Sequence, residues 1–93
     1  PLGGFTDVTG DYTITGGESV ILVDSTGGNI AVTLPLASTA EGQRFTVKKK
    51  VAANNVTLTA SGADTIDGAA TQVLTYAYSS VDLISDGTNW YII

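Results

Sequence analysis

Oxygen-bearing side chains at short spacing mark one stretch of this sequence, from Asp64 to Gly68 (DTIDG). Acidic residues close together beside a Gly are typical of calcium loops, but the further acidic positions and the closing Glu of an EF-hand are missing. Asp side chains also form turns by bonding to nearby backbone groups, and we favour that interpretation. The sequence therefore predicts neither a metal site nor a cofactor.

Most of the side chains that commonly take part in catalysis are missing, because the chain contains no His and no Cys. This removes the commonest general base, the thiol nucleophile and the thiolate metal ligand. The carboxylate pair of a glycoside hydrolase would have to come from Asp64, Asp67, Asp82 and Asp86. Nothing in the sequence fixes the separation of any two of them or sets one apart as an acid. We predict that the protein is not an enzyme and has no catalytic residues.

The four basic residues are Arg44, Lys48, Lys49 and Lys50, in a chain with a formal charge of −5. They are candidate contacts for an anionic glycan or a phosphate, since Arg and Lys pair with such oxygens. The alternative, which we favour, is that they solvate an edge strand or pair with acids of a neighbouring chain. The net negative charge argues against binding to nucleic acid.

Five aromatic residues could stack on sugar rings: Tyr12, Tyr76, Tyr78, Trp90 and Tyr91. An aromatic face buries the apolar side of a sugar while its polar tip stays wet. Core or interface packing is the favoured interpretation for Trp90. Tyr76 and Tyr78 are the better candidates for glycan binding.

The composition indicates the elements that must position these residues. Eleven Gly, two Pro and abundant Thr, Val and Ile are typical of short strands joined by tight turns. We expect an all-β fold, a small β-sandwich or barrel-like meander of about seven to eight short antiparallel strands without substantial helix. A lead-in segment, 1–10, precedes a single domain at 11–93, and residues 1–3 resemble the remnant of a cleaved affinity tag. No membrane insertion is predicted.

Three hairpins are predicted within the domain. The first pairs residues 18–24 with 29–34, and the second pairs 43–50 with 56–60. The third closes the chain from Ser80 to Ile93 around the turn signal Asp86-Gly87. Any even loop length in this closing hairpin puts Leu83 and Trp90 on one face, together with Val81 and Ile92.

Two of these hairpins carry apolar residues on both faces. A domain of this size in two sheets buries only one face of each sheet, so another chain is expected to cover the second face. The candidate interface residues are Val20, Leu22, Ile84, Tyr91 and Ile93. The pattern alone allows two chains or three.

The succession of these motifs resembles a β-rich module of bacteriophage tail fibres and tailspikes, often placed at or near their C-terminal ends. The resemblance covers about Asp11 to Ile93. The matching segments are DYTI at 11–14, VILVD at 20–24, Ile30, VTLP at 32–35, Gly42, Phe45, VK at 47–48, TIDG at 65–68 and LISDGTNWYI at 83–92.

The resemblance implies a structural domain that trimerises and caps a virion fibre and contributes to binding a host-surface receptor, a glycan in particular. It implies localisation in the virion, in a tail fibre or in another appendage such as a head fibre, and outside the cell after release. No catalytic residues come with it. The alternative is a monomeric carbohydrate-binding module of a secreted enzyme, which the oligomeric state distinguishes from a homotrimer.

Overall fold

The computed structural model describes residues 5–93, and in this part of the chain strands account for almost all regular structure. One short 3-10 helix, η1 (Ala37–Thr39), interrupts them. The all-β prediction is thus confirmed. No helix among the described residues is long and apolar enough to cross a membrane. The strands are β1 (Phe5–Val8), β2 (Tyr12–Thr13), β3 (Val20–Val23), β4 (Ile30–Thr33), β5 (Arg44–Lys49), β6 (Val56–Thr59), β7 (Thr71–Leu74), β8 (Ser80–Ser85) and β9 (Trp90–Ile92).

The first six strands alternate between two sheets. The five-stranded sheet has the order β1-β3-β5-β8-β9, and the four-stranded sheet has the order β2-β4-β6-β7. Up to β6, each strand pairs in parallel with the strand two positions earlier, so the chain winds as a coil. The last three strands add in antiparallel pairs, β6 with β7, β5 with β8 and β8 with β9. The prediction of an antiparallel meander is therefore wrong for four of these seven pairings.

The first two predicted hairpins are not formed. β3 and β4 lie in different sheets, as do β5 and β6. The turn residues that suggested hairpins carry the chain from one sheet to the other: Gly28 and Asn54 both have positive φ, 153° and 62°. A tight turn between strands and a turn between sheets need the same backbone freedom, so the local signal does not distinguish them.

The closing hairpin is confirmed, with a four-residue loop that pairs Ser85 with Trp90 and Leu83 with Ile92. Asp86 fixes the loop, because its Oδ1 accepts hydrogen bonds from the backbone N–H groups of Thr88 (2.9 Å) and Asn89 (2.8 Å). These bonds hold the pKa of the Asp86 carboxyl below its ordinary value.

One hydrophobic core joins residues from both sheets. Trp90 and Leu83 are fully buried, as the hairpin pattern predicted, and Val81 and Ile92 pack at the edge of the core. The Trp90 ring lies 5.5 Å from the ring of Phe45 and donates from Nε1 to the Pro35 carbonyl at 3.1 Å. The remaining buried apolar residues are Val8, Ile14, Ile21, Val23, Ile30, Val32, Leu34, Ala37, Ala40, Val47, Val56, Leu58, Ile66 and Leu74.

Candidate functional site

The coil gathers its loops at two ends. One end carries the connections 9–11, 24–29, 50–55 and 75–79, and we call it the tyrosine end because Tyr76 and Tyr78 lie there. The opposite end carries 14–19, 34–43, 60–70 and 86–89, and we call it the arginine end because β5 begins there at Arg44. Candidate residues that are close in sequence are thus divided between two distant surfaces.

Both candidate tyrosines are exposed at the tyrosine end, Tyr76 by 79% and Tyr78 by 71%. Tyr78 has a φ of 64°, a conformation unusual for a bulky side chain. Its N–H donates to the Lys49 carbonyl at 2.7 Å, and Ser79 donates from N and Oγ to the Tyr76 carbonyl at 3.2 and 2.5 Å. The loop backbone is therefore held in place while both rings face solvent, an arrangement suited to stacking on a sugar.

Lys48 and Lys50 are the basic residues at this same end. The Lys48 amine donates to the Tyr78 carbonyl at 3.1 Å and lies 5.9 Å from the centre of its ring, a cation–π distance. The Lys50 amine pairs with the Asp7 carboxylate at 3.1 Å. Arg44 begins the same strand four residues before Lys48, about 13 Å away, at about 3.3 Å per residue. The structure brings Lys48 to Tyr78, pairs Lys50 with Asp7 and leaves Arg44 apart.

Lys49 does not lie on the surface where the sequence analysis placed it. Its side chain is fully buried, and its amine donates to the carbonyls of Val51 and Ala53. The alternation of inward and outward residues along β5 indicates this burial, because Lys49 continues the inward series of Phe45 and Val47. In this conformation Lys49 contacts no external ligand.

The five interface candidates share one surface, the outer face of the five-stranded sheet. Val20 and Leu22 lie on β3, whereas Ile84, Tyr91 and Ile93 lie on β8, β9 and just beyond. Between them β5 presents the polar outward residues Arg44, Thr46 and Lys48. Phe5 joins the first group as the neighbour of Val20 in β1, and it is 67% exposed. Phe5 was not among the predicted interface residues, because it lies in the segment predicted as a lead-in.

Asp64 and Asp67 serve as turn and contact residues. Asp64 Oδ2 accepts from the N–H of Ala37 at 2.8 Å, and Asp67 Oδ1 accepts from the N–H of Ile92 at 3.0 Å. Among residues 5–93, no three acidic side chains converge into a group that could hold a metal ion. The two carboxylates tie the long loop 60–70 to η1 and to β9.

Glu18 is a buried acid that the sequence analysis did not single out. Its Oε1 accepts from Thr15 Oγ1 (3.1 Å) and the Gly16 N–H (2.9 Å), and its Oε2 accepts from the Tyr12 hydroxyl and, at 3.4 Å, the Thr15 N–H. Burial alone would raise the pKa of Glu18, but the bonds from Tyr12, Thr15 and Gly16 outweigh it and lower the pKa to about 2. The same bond and burial raise the pKa of Tyr12. The sequence signal that could have identified Glu18 is the Gly16-Gly17 pair, which predicts a turn, followed directly by an acidic residue.

Comparison with known proteins assigns the chain to no family. No protein-family model matches it, and no curated protein sequence matches it. The resemblance to phage fibre modules stays a prediction that rests on the strand and turn motifs of the sequence.

Proposed function

We propose that this chain is a structural domain of a bacteriophage tail fibre or similar virion fibre, in which two sheets form a β-sandwich that trimerises and caps the fibre. We further propose that it contributes to recognition of a host-surface glycan. The observation that carries the proposal is the apolar outer face of the five-stranded sheet.

This face exposes more apolar surface than a solitary domain of this size needs. Phe5 is 67% exposed, Ile93 59% and Tyr91 42%, and Val20, Leu22 and Ile84 are half-buried beside them. Full burial of one such side chain contributes about 1.5 to 3 kcal/mol, so covering several of them would support a tight assembly. Large exposed apolar patches on soluble proteins mark interaction sites.

The division of the face into two flanks favours a cyclic trimer. The apolar group around Val20 lies on one side of β5, and the group around Ile84 lies on the other side. One flank of a chain can therefore cover the opposite flank of the next chain, a heterologous contact that closes into a ring. The resemblance to fibre proteins favours three chains over two. The Thr46–Asp82 pair in the middle of the face, in which the Thr46 hydroxyl donates to Asp82 at 2.5 Å, would fix the register between chains, whereas Arg44 at the first position of β5 lies outside the contact proposed here.

The receptor-binding part of the proposal is supported by the tyrosine end. Tyr76 and Tyr78 face solvent on a loop that is outside the apolar face, so they stay accessible in the assembly proposed here. These same exposed rings favour the second candidate function, a monomeric carbohydrate-binding module. The oligomeric state separates the two.

Sedimentation equilibrium at micromolar concentration tests the proposal. We expect three times the 9.5 kDa chain mass. Ile84→Asp should dissociate the assembly or unfold the chain, because it places a charge within an apolar flank. Val73→Asp is the matched control, since Val73 is 49% exposed on the outer face of the four-stranded sheet and should leave the mass unchanged. A wild-type mass of one or two chains would refute the trimer, and a monomer would favour the binding module.

A further inference from the structure

A cleft with a volume of about 250 Å³ lies at the arginine end, where β3 and β5 begin. One wall is the turn before β3, with Gly16, Gly17 and Glu18, and the other wall is Gln43 and Arg44 at the start of β5. The cleft is separated from Tyr76 and Tyr78 by the length of the strands, so it is distinct from the aromatic surface at the tyrosine end.

The cations of the chain differ in what they contact. The buried Lys49 amine is bonded to two backbone carbonyls, the Lys50 amine is paired with a carboxylate, and the Lys48 amine lies on Tyr78. Among the residues that the structure describes, the exposed Arg44 guanidinium has neither a hydrogen bond nor an ion pair. Within residues 5–93, the basic side chain with all its donors available thus lies at the cleft.

We infer that this cleft is a subsite for an acidic monosaccharide unit, a hexuronate, whose carboxylate pairs with the Arg44 guanidinium. The planar guanidinium matches a carboxylate through two parallel hydrogen bonds. The inference rests on the receptor-binding part of the proposed function and names its ligand class.

The remainder of the cleft suits the hydroxyl groups of a sugar. Gly16 and Gly17 carry no side chains, and a Cβ added to Gly17 would meet no atom within 4 Å, so a sugar ring can approach the peptide groups closely. The Gln43 side-chain amide supplies both donors and an acceptor to hydroxyl groups. Its Oε1 lies 3.7 Å from the position of a Cβ on Gly16, which places it against the same turn.

Glu18 limits which anions fit. Its carboxylate accepts four hydrogen bonds, which fills its acceptor positions, but its negative charge remains beside the cleft. A dianion such as phosphate is repelled by that charge more strongly than a hexuronate, which carries one delocalised charge. A hexuronate can place its carboxylate at Arg44 and its uncharged ring nearer to Glu18.

Titration of the ¹⁵N-labelled protein with glucuronate tests the inference. We expect saturable shifts of the amide signals of Gly16 and Gly17. Loss of a charged hydrogen-bonded pair is worth about 1.5 to 3 kcal/mol, so Arg44→Gln should weaken glucuronate binding by about tenfold or more. Lys50→Gln is the matched control, because it removes the same charge at the other end of β5, and it should change the affinity less than about twofold. Glucose and inorganic phosphate should bind at least about tenfold more weakly than glucuronate.

Absence of saturable binding by glucuronate would overturn the inference, as would equal effects of Arg44→Gln and Lys50→Gln or equal binding of phosphate. Should Arg44→Gln alter the overall spectrum, Arg44→Lys keeps the charge, loses the two parallel bonds and must also weaken binding. Sedimentation of the same samples separates the two proposals. A trimer that does not bind glucuronate refutes the subsite alone, whereas a monomer that binds it refutes the fibre assembly alone.

Discussion

Glu18 should make the stability of this domain depend on pH in acid. Its pKa is lowered from 4.5 to about 2 in the folded chain. Each pKa unit corresponds to about 1.4 kcal/mol, so the ionised Glu18 carboxylate should contribute about 3 kcal/mol, the net of its hydrogen bonds and the cost of its burial. Because the folded pKa is below the unfolded one, this stability is fully present above pH 4.5 and is lost as the pH falls towards 2. Domains of this size are stable by about 5 to 15 kcal/mol, so the loss is measurable.

Glu18→Gln isolates this effect. The amide keeps one acceptor oxygen but presents N–H donors to the Tyr12 hydroxyl or to the Gly16 N–H, which leaves bonds unmade. We expect the variant to be less stable than wild type by about 3 kcal/mol near neutral pH, and the difference to vanish near pH 2. Urea unfolding at one protein concentration, repeated from pH 7 down to pH 2, measures both curves.

Two further variants sharpen the test. Tyr12→Phe removes the hydrogen bond that lowers the pKa of Glu18 most, so the acid loss of stability should still begin near pH 4.5 but should be smaller than in wild type and complete at a higher pH. Glu41→Gln removes an exposed carboxylate that accepts no hydrogen bond among the described residues, and it should reproduce the wild-type curve. Parallel pH curves for wild type and Glu18→Gln would refute the assignment of the acid sensitivity to Glu18.

Two other outcomes are expected. Trp90→Ala should cost about 3 to 5 kcal/mol in urea unfolding followed by circular dichroism, because it empties a fully buried aromatic site; a stable variant that had lost glycan binding would instead place Trp90 in a binding site. The purified domain should release no reducing ends from host polysaccharide, and release that Asp64→Asn or Asp67→Asn abolished would contradict the prediction that it is not an enzyme.

The positions of the strands after β1 were predictable, whereas β1 and most of the strand pairing were not. Alternation of apolar and polar residues along β3 and β5 reports which side chains face a core, and it holds in either kind of sheet. The closing hairpin was predicted because its turn is local. The parallel pairs join residues 15 to 26 positions apart, as Phe5 with Val20 and Val20 with Thr46 show, and no local turn signal reports such a contact.

Prediction of the candidate surfaces was limited in the same way, because these surfaces also depend on how the strands pair. The interface candidates were chosen from two separate hairpins, and only the pairing of β3 and β8 on either side of β5 shows that they share one face. Lys49 was misplaced because its charge suggested exposure, although its position in the alternation of β5 is inward. Glu18 was missed although its partners are local, because Tyr12, Thr15 and Gly16 lie two to six residues before it and their bonds stabilise its buried charge.

The central position of β5 explains why its cations should not act as one basic surface. Alternation turns Lys49 into the core, and the strand length separates Lys48 at one end from Arg44 at the other. The Asp7 carboxylate offsets the charge of Lys50. A polyanion laid along β5 would therefore meet single positive charges at the two ends, so its binding should depend only weakly on salt, unlike that of a protein that neutralises many charges together. Recognition of an acidic glycan by this chain is then expected to be local, with one sugar at one end of the molecule.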